Sequence, residues 1–105
     1  MILLMKLVRD KICDIPGVRR KYRFKQLKSD QEYLEALKQK LVEEAKESSS
    51  AQSEADLISE LIDLSEIIGE IRKLLKVTVA QMASYKKKKL KEKGGFSRRI
   101  IMLSR

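Results

Sequence analysis

The sequence predicts an all-α fold, a bundle of two long helices and one shorter one. Three observations carry this expectation. Aromatic residues are 5% of the 105-residue chain and there is one Pro, a composition poor in strand formers and helix breakers. Apolar residues recur at intervals of three and four from Tyr33 to Ala45 and again from Leu57 to Leu75. Ser or Thr stands where each stretch begins, in the position of a helix N-cap.

Taken in order, residues 3–8 read as a short extended segment, followed by a turn or single helical turn around Arg9 to Asp14. Pro16-Gly17 is expected to break the chain, with Val18 to Leu27 extended or looped. Ser29-Asp30-Gln31-Glu32 is a capping box that opens a helix over about 30–47. Ser48 to Gln52 is polar and reads as the connection. Ser53, with Asp56 three residues on, opens a second helix over about 54–75, with Gly69 tolerated inside it for close packing. Thr78 and Gln81 make another capping box for a third helix over about 78–93, which Gly94-Gly95 terminates. Ile100-Ile101-Met102-Leu103 forms an apolar run able to dock or pair as a short strand. Residues 1–105 are read as one domain, with no internal repeat.

Ile58 and Ile62 widen the apolar stripe of the second long helix well beyond Leu57 and Leu61. A helix apolar over more than half its circumference is buried on more than one side. A homodimer or homotetramer that pairs these helices is the expected way to cover them.

Composition excludes several classes. The single Cys13 cannot form an internal disulfide, and the absence of His leaves no zinc-type cluster. Cys13 reads as a bystander thiol in a reducing compartment. The opening apolar residues are too few for a signal peptide, and no run approaches membrane-spanning length, so the expected location is cytoplasmic, with no membrane partner. Net charge is +9, concentrated in Arg19 to Lys25 and Lys86 to Lys91, whereas the acids cluster from Glu32 to Glu70. Basic ends around an acidic centre suit a polyanion bridged to carboxylates by a metal, and they also suit plain nucleic-acid binding.

The acids stand in a pattern. Glu44 and Glu47, and likewise Glu60 and Asp63, are three residues apart, which places each pair on one helix face. At about 100° per residue, Glu44 falls inside its helix's apolar arc, between Leu37 and Tyr33, and Glu47 lies at the edge. Glu60 falls between Ile71 and Ile67, and Asp63 just past Leu74. Charged side chains are rarely buried without a partner. Two carboxylates about 4 Å apart repel by about 4 kcal/mol at an effective dielectric of about 20, so four around one point need protons or a cation. Oxygen ligands alone suit Mg²⁺ or Mn²⁺. In a chain that is 37% charged, such acids are also ordinary solvated helix residues. The intrusion of Glu44 and Glu60 into apolar arcs favours the metal site.

Three blocks then match a known family in order and spacing: Lys6-Leu7-Val8-Arg9-Asp10-Lys11-Ile12; Lys40 to Glu47 together with Glu60 to Glu66; and Lys93-Gly94-Gly95-Phe96. The chain resembles the all-α nucleoside triphosphate pyrophosphatases, the MazG-like superfamily that includes phosphoribosyl-ATP pyrophosphohydrolase, and within it the small single-domain branch. The resemblance implies a house-cleaning enzyme that hydrolyses a nucleoside triphosphate, including non-standard ones, to the monophosphate and pyrophosphate with Mg²⁺. It implies metal ligation by Glu44, Glu47, Glu60 and Asp63, and a general base at Glu43 or Glu47. Lys6, Arg9 and Lys11 are the implied phosphate contacts, together with Lys89, Lys93 and the Gly94-Gly95 backbone. Solvated surface charge is the competing reading of these cations, and the stronger one for any single lysine of Lys86 to Lys91.

Two other functions fit less of the sequence. A basic helical nucleic-acid-binding or regulatory module would use the net charge, with Tyr22 and Phe24 stacking on bases. It leaves the inward acids unexplained. A phosphoribosyl-ATP-specific enzyme would share the chemistry but carry a different N-terminal block. Tyr33, Tyr85 and Phe96 are possible base-stacking partners, each more often a core residue.

Overall fold

The structure, a computed structural model, describes residues 5–105. It is all-helical among these residues: a 3₁₀ turn (Ile12–Asp14), then α1 (Pro16–Lys21), α2 (Asp30–Ser50), α3 (Glu54–Leu74) and α4 (Val79–Lys93). By its internal contacts the chain divides into two units, one ending at Leu75 and the other spanning Lys76–Arg105.

The first unit is built on a helical hairpin. The Ser29 hydroxyl accepts the Glu32 backbone N–H at 3.3 Å, and the Ser53 hydroxyl accepts that of Asp56 at 3.1 Å. Each cap satisfies one donor that a first helical turn leaves unpaired. Only three residues, Ala51 to Ser53, join α2 to α3, so the two helices fold back on each other. Their register is fixed by the pairs that meet: the Tyr33 hydroxyl donates to the Glu70 carboxylate at 3.1 Å, and Glu44 faces Glu60 and Asp63. Leu37 (1% exposed) and Ile67 (8%) are the buried apolar residues among those described.

Two local expectations are corrected. Pro16-Gly17 does not break the chain but starts α1, with Pro at the first helical position. Its missing N–H is one that no intrahelical acceptor would have met, and its fixed φ suits the helix. Ser48 to Ser50 belong to α2 and not to the connection. The Ser49 and Ser50 hydroxyls donate back to the Lys46 carbonyl at 2.9 and 3.0 Å, which lets polar residues continue the last turn.

No strand occurs among the described residues. The segment read as extended at 3–8 has no regular structure where it is described, from residue 5, and its first two residues lie outside the described chain. The apolar run at 100–103 is likewise irregular, as are residues 22–29. A side chain added at Gly69 would meet nothing within 4 Å, so the close packing expected there does not occur within this chain.

The apolar stripe on α3 is wider than α2 covers. Ile58 and Ile62 are 52% and 53% exposed, and Leu61 and Ile68 are nearly half exposed. The oligomer expectation is neither met nor refuted by one chain.

The second unit holds α4. Its start is a full capping box: the Thr78 hydroxyl accepts the Gln81 N–H at 3.0 Å while the Gln81 side chain accepts the Thr78 N–H at 2.8 Å. Its end is Gly94 at φ 77°, a backbone region open to glycine and disfavoured for other residues. No helix among the described residues is long and apolar enough to cross a membrane.

Candidate metal centre

The site lies on the seam between α2 and α3, two turns from the core. Leu37 and Glu44 are seven residues apart on α2, as are Glu60 and Ile67 on α3. Seven residues are close to two turns, so each acid lies along the line of its helix's buried apolar residue. The fold therefore carries Glu44 into the interior by the same periodicity that buries Leu37, and Glu44 is 4% exposed.

Two overlapping groups of carboxylates result. Glu44, Glu60 and Asp63 bring oxygens within 4.8 Å of one another, and Glu43, Glu44 and Glu47 do the same. Glu44 belongs to both. The five acids singled out in the sequence thus fall into two groups that share Glu44, and not equally: Glu44 is buried, Glu43, Glu60 and Asp63 are half-buried, and Glu47 is exposed.

Buried oxygens here lack donors. Glu44 Oε2 and Glu60 Oε2 are both shielded from solvent and have no hydrogen-bond partner when the acids are ionised. A buried acceptor left unpaired is unfavourable by about 1–3 kcal/mol, more when charged. Two remedies exist, a shared proton or a cation. The geometry favours the proton. A hydrogen bond shared with Glu44, then burial, then a hydrogen bond and charge from Glu47, push the Glu60 carboxyl up to about 7. The donor set fits the second remedy too, since carboxylate oxygens in this number are what a hard divalent ion takes.

Cations from this chain guard the rim. Lys40 sits 3.3 Å from Glu44 and 3.4 Å from Glu43. Burial works against the Lys40 ammonium, but these two charges outweigh it and hold its pKa above the ordinary value. Lys6 reaches Glu43 at 3.7 Å. Arg9 is paired with Asp63 and, at 2.9 Å, with Glu66. Both carboxylates raise its already high pKa.

A groove of about 540 Å³ opens along this rim, within the size range of small-ligand sites. Its walls include Lys6, Arg9, Tyr33, Lys40, Glu44, Asp63, Glu66 and Glu70. Burial, then the hydrogen bond to Glu70, raise the Tyr33 pKa, so the phenol stays protonated and donating. Lys11 is exposed and is not among the lining residues. Lys89 and Lys93 lie on the last turns of α4, followed by Gly94 and Gly95, all in the second unit.

Lys40, Glu66 and Glu70 were not singled out from the sequence as site residues. Lys40 and Glu43 are three apart, and Lys40 and Glu44 four apart, on one helix, and that spacing was the available signal. Glu66 and Glu70 gave none, because their partners Arg9 and Tyr33 lie 57 and 37 residues away.

No protein-family model, curated protein or solved structure matches the chain.

Proposed function

We propose that the chain is a divalent-cation-dependent nucleoside triphosphate pyrophosphohydrolase, releasing nucleoside monophosphate and pyrophosphate. The observation that supports this most is the Glu44 carboxylate, buried with one oxygen unpartnered and facing Glu60 and Asp63. Glu44, Glu47, Glu60 and Asp63 would hold Mg²⁺, or Mn²⁺ in its place. When bound, the ion supplies neutralisation of phosphate oxygens and activation of a water for attack at phosphorus. Glu43 or Glu47, beside Glu44 on α2, would take a proton from an attacking water. Lys6 and Arg9, which line the groove, would contact the phosphates. The uncovered stripe of α3, with Ile58 and Ile62 more than half exposed, supports a homodimer or a homotetramer as the working form.

The test is pyrophosphate release from a panel of nucleoside triphosphates with and without Mg²⁺. Glu44→Gln and Asp63→Asn are each expected to abolish release while the helical circular dichroism is kept. Normal turnover in either variant would remove the site from the reaction.

One observation favours a second reading for part of the chain. Residues 1–75 carry fourteen Lys and Arg against fourteen Asp and Glu, and residues 76–105 carry ten against one. The whole net charge of +9 therefore resides in the second unit, a composition that suits a nucleic-acid-binding or regulatory segment. That reading predicts binding to a nucleic acid that weakens steeply with salt and is indifferent to Mg²⁺ removal.

A further inference from the structure

We infer that Arg9 is a resident counter-ion of the carboxylate site, displaced from Asp63 when a divalent ion enters, and then left on Glu66 as an anchored phosphate-binding group. The inference rests on the metal-site reading above.

Arg9 is the one residue outside the hairpin that the structure ties to a member of the Glu44, Glu60 and Asp63 trio by a close ion pair, among the described residues. Its guanidinium forks: Nη2 meets Asp63 Oδ1, Nη1 meets Glu66 Oε2 at 2.9 Å, and Nη2 also meets Glu66 Oε1 at 3.2 Å. Asp63 belongs to the trio with Glu44 and Glu60, whereas Glu66, one turn further along α3, does not. One guanidinium thus straddles a carboxylate that a cation would claim and one that it would leave alone.

The trio itself is more than a set of exposed acids. Glu44 is more than nine-tenths buried, and its Oε2 has no partner. Lys40 already neutralises Glu44 from one side and Arg9 neutralises Asp63 from the other. A second positive charge on Asp63 would repel the guanidinium and weaken its hold on that carboxylate. The contact to Glu66 is bidentate and independent of the trio, so Arg9 can give up Asp63 without leaving the groove it lines. The Nη2–H donor it frees is a charge-assisted donor suited to a phosphate oxygen.

The consequence is competition between Arg9 and the ion for Asp63. Removing the guanidinium should tighten metal binding, the opposite of what loss of a merely structural ion pair would do. Arg9 is more than half exposed, so the pair contributes what exposed ion pairs do, which makes the expected gain in affinity about two- to fivefold.

The experiment is titration of the full chain with Mn²⁺, following the free ion by electron paramagnetic resonance, for the wild type, Arg9→Gln and Glu44→Gln. The inference expects Arg9→Gln to bind Mn²⁺ about two- to fivefold more tightly than wild type and Glu44→Gln to lose the site. In parallel, the Arg9 Nε–H resonance of the ¹⁵N-labelled wild type should move on adding Mg²⁺, a readout that needs no folded variant. An unchanged or weakened Mn²⁺ affinity in Arg9→Gln, or an Arg9 signal indifferent to Mg²⁺, would overturn it while leaving the metal site standing. A wild type that binds no Mn²⁺ would overturn both.

Discussion

Replacing Glu44 by Gln keeps the shape of the side chain and removes its charge, which separates two effects that the metal-site reading predicts with opposite signs. Without metal, Glu44 is 4% exposed, its Oε1 faces Lys40 at 3.3 Å and its Oε2 has no donor. Above about pH 7, where Glu60 is ionised and has no proton to share, the unpaired buried oxygen destabilises the fold by about 1–3 kcal/mol. A Gln amide in its place can donate to the facing Glu60 oxygen, which removes that penalty. Against this stands the lost charge on the Lys40 side, but Lys40 retains Glu43 at 3.4 Å and the Gln amide oxygen can still accept from it, so no buried charge is left unpaired and the loss is about 1 kcal/mol. The net expectation in EDTA is a variant about 1 kcal/mol more stable than the parent, or about 4–8 °C higher in Tm for a domain near this size. With Mg²⁺ at about a hundred times its Kd, the wild type should gain about 2.7 kcal/mol by mass action, and Glu44→Gln should gain nothing. Denaturant unfolding in EDTA and in saturating Mg²⁺ measures all four states. A variant less stable than wild type in EDTA would refute the account of the unpaired oxygen. A variant still stabilised by Mg²⁺ would refute Glu44 as a ligand.

Three further outcomes follow from the same geometry. Glu60, held up to about 7 from an ordinary 4.5, binds its proton more tightly folded than unfolded. Metal-free stability should therefore be fullest below about 4.5 and fall as pH rises through about 7. Glu60→Gln should flatten that slope, and Mg²⁺ binding below pH about 7 should release a proton, seen as a buffer-dependent heat in calorimetry. Leu37→Ala should cost about 2–5 kcal/mol, because Leu37 is 1% exposed and few other apolar side chains are buried within one chain; urea unfolding reads it, and a loss below about 1 kcal/mol would mean the seam is not the core. Ile62→Glu, at an apolar position 53% exposed on α3, should halve or quarter the mass seen by light scattering while leaving helix content unchanged. An unchanged mass would remove that face from the interface.

Much of this molecule was legible from short-range pattern. Caps at Ser29, Ser53 and Thr78 and the glycine stop at Gly94 located all three major helices to within a few residues. The two acid pairs could be placed on inward faces because a helix face depends only on spacing along one element. Where local reading failed, the cause was local competition: Pro16 serves a helix start as well as it serves a break, and the serines of residues 48–50 can cap backwards onto Lys46 instead of leaving the helix.

What the sequence alone determined is which residues form helices and which faces carry carboxylates, since both follow from interactions spanning one or two turns. Only the tertiary structure decided that Glu44 is the buried member and Glu47 the exposed one, and that Arg9 closes on Asp63 and Glu66 from more than fifty residues away. Those outcomes depend on the register of one helix against another and on where an irregular segment passes over them. No period within a single element encodes either, because register is a balance of contacts between residues that are distant along the chain.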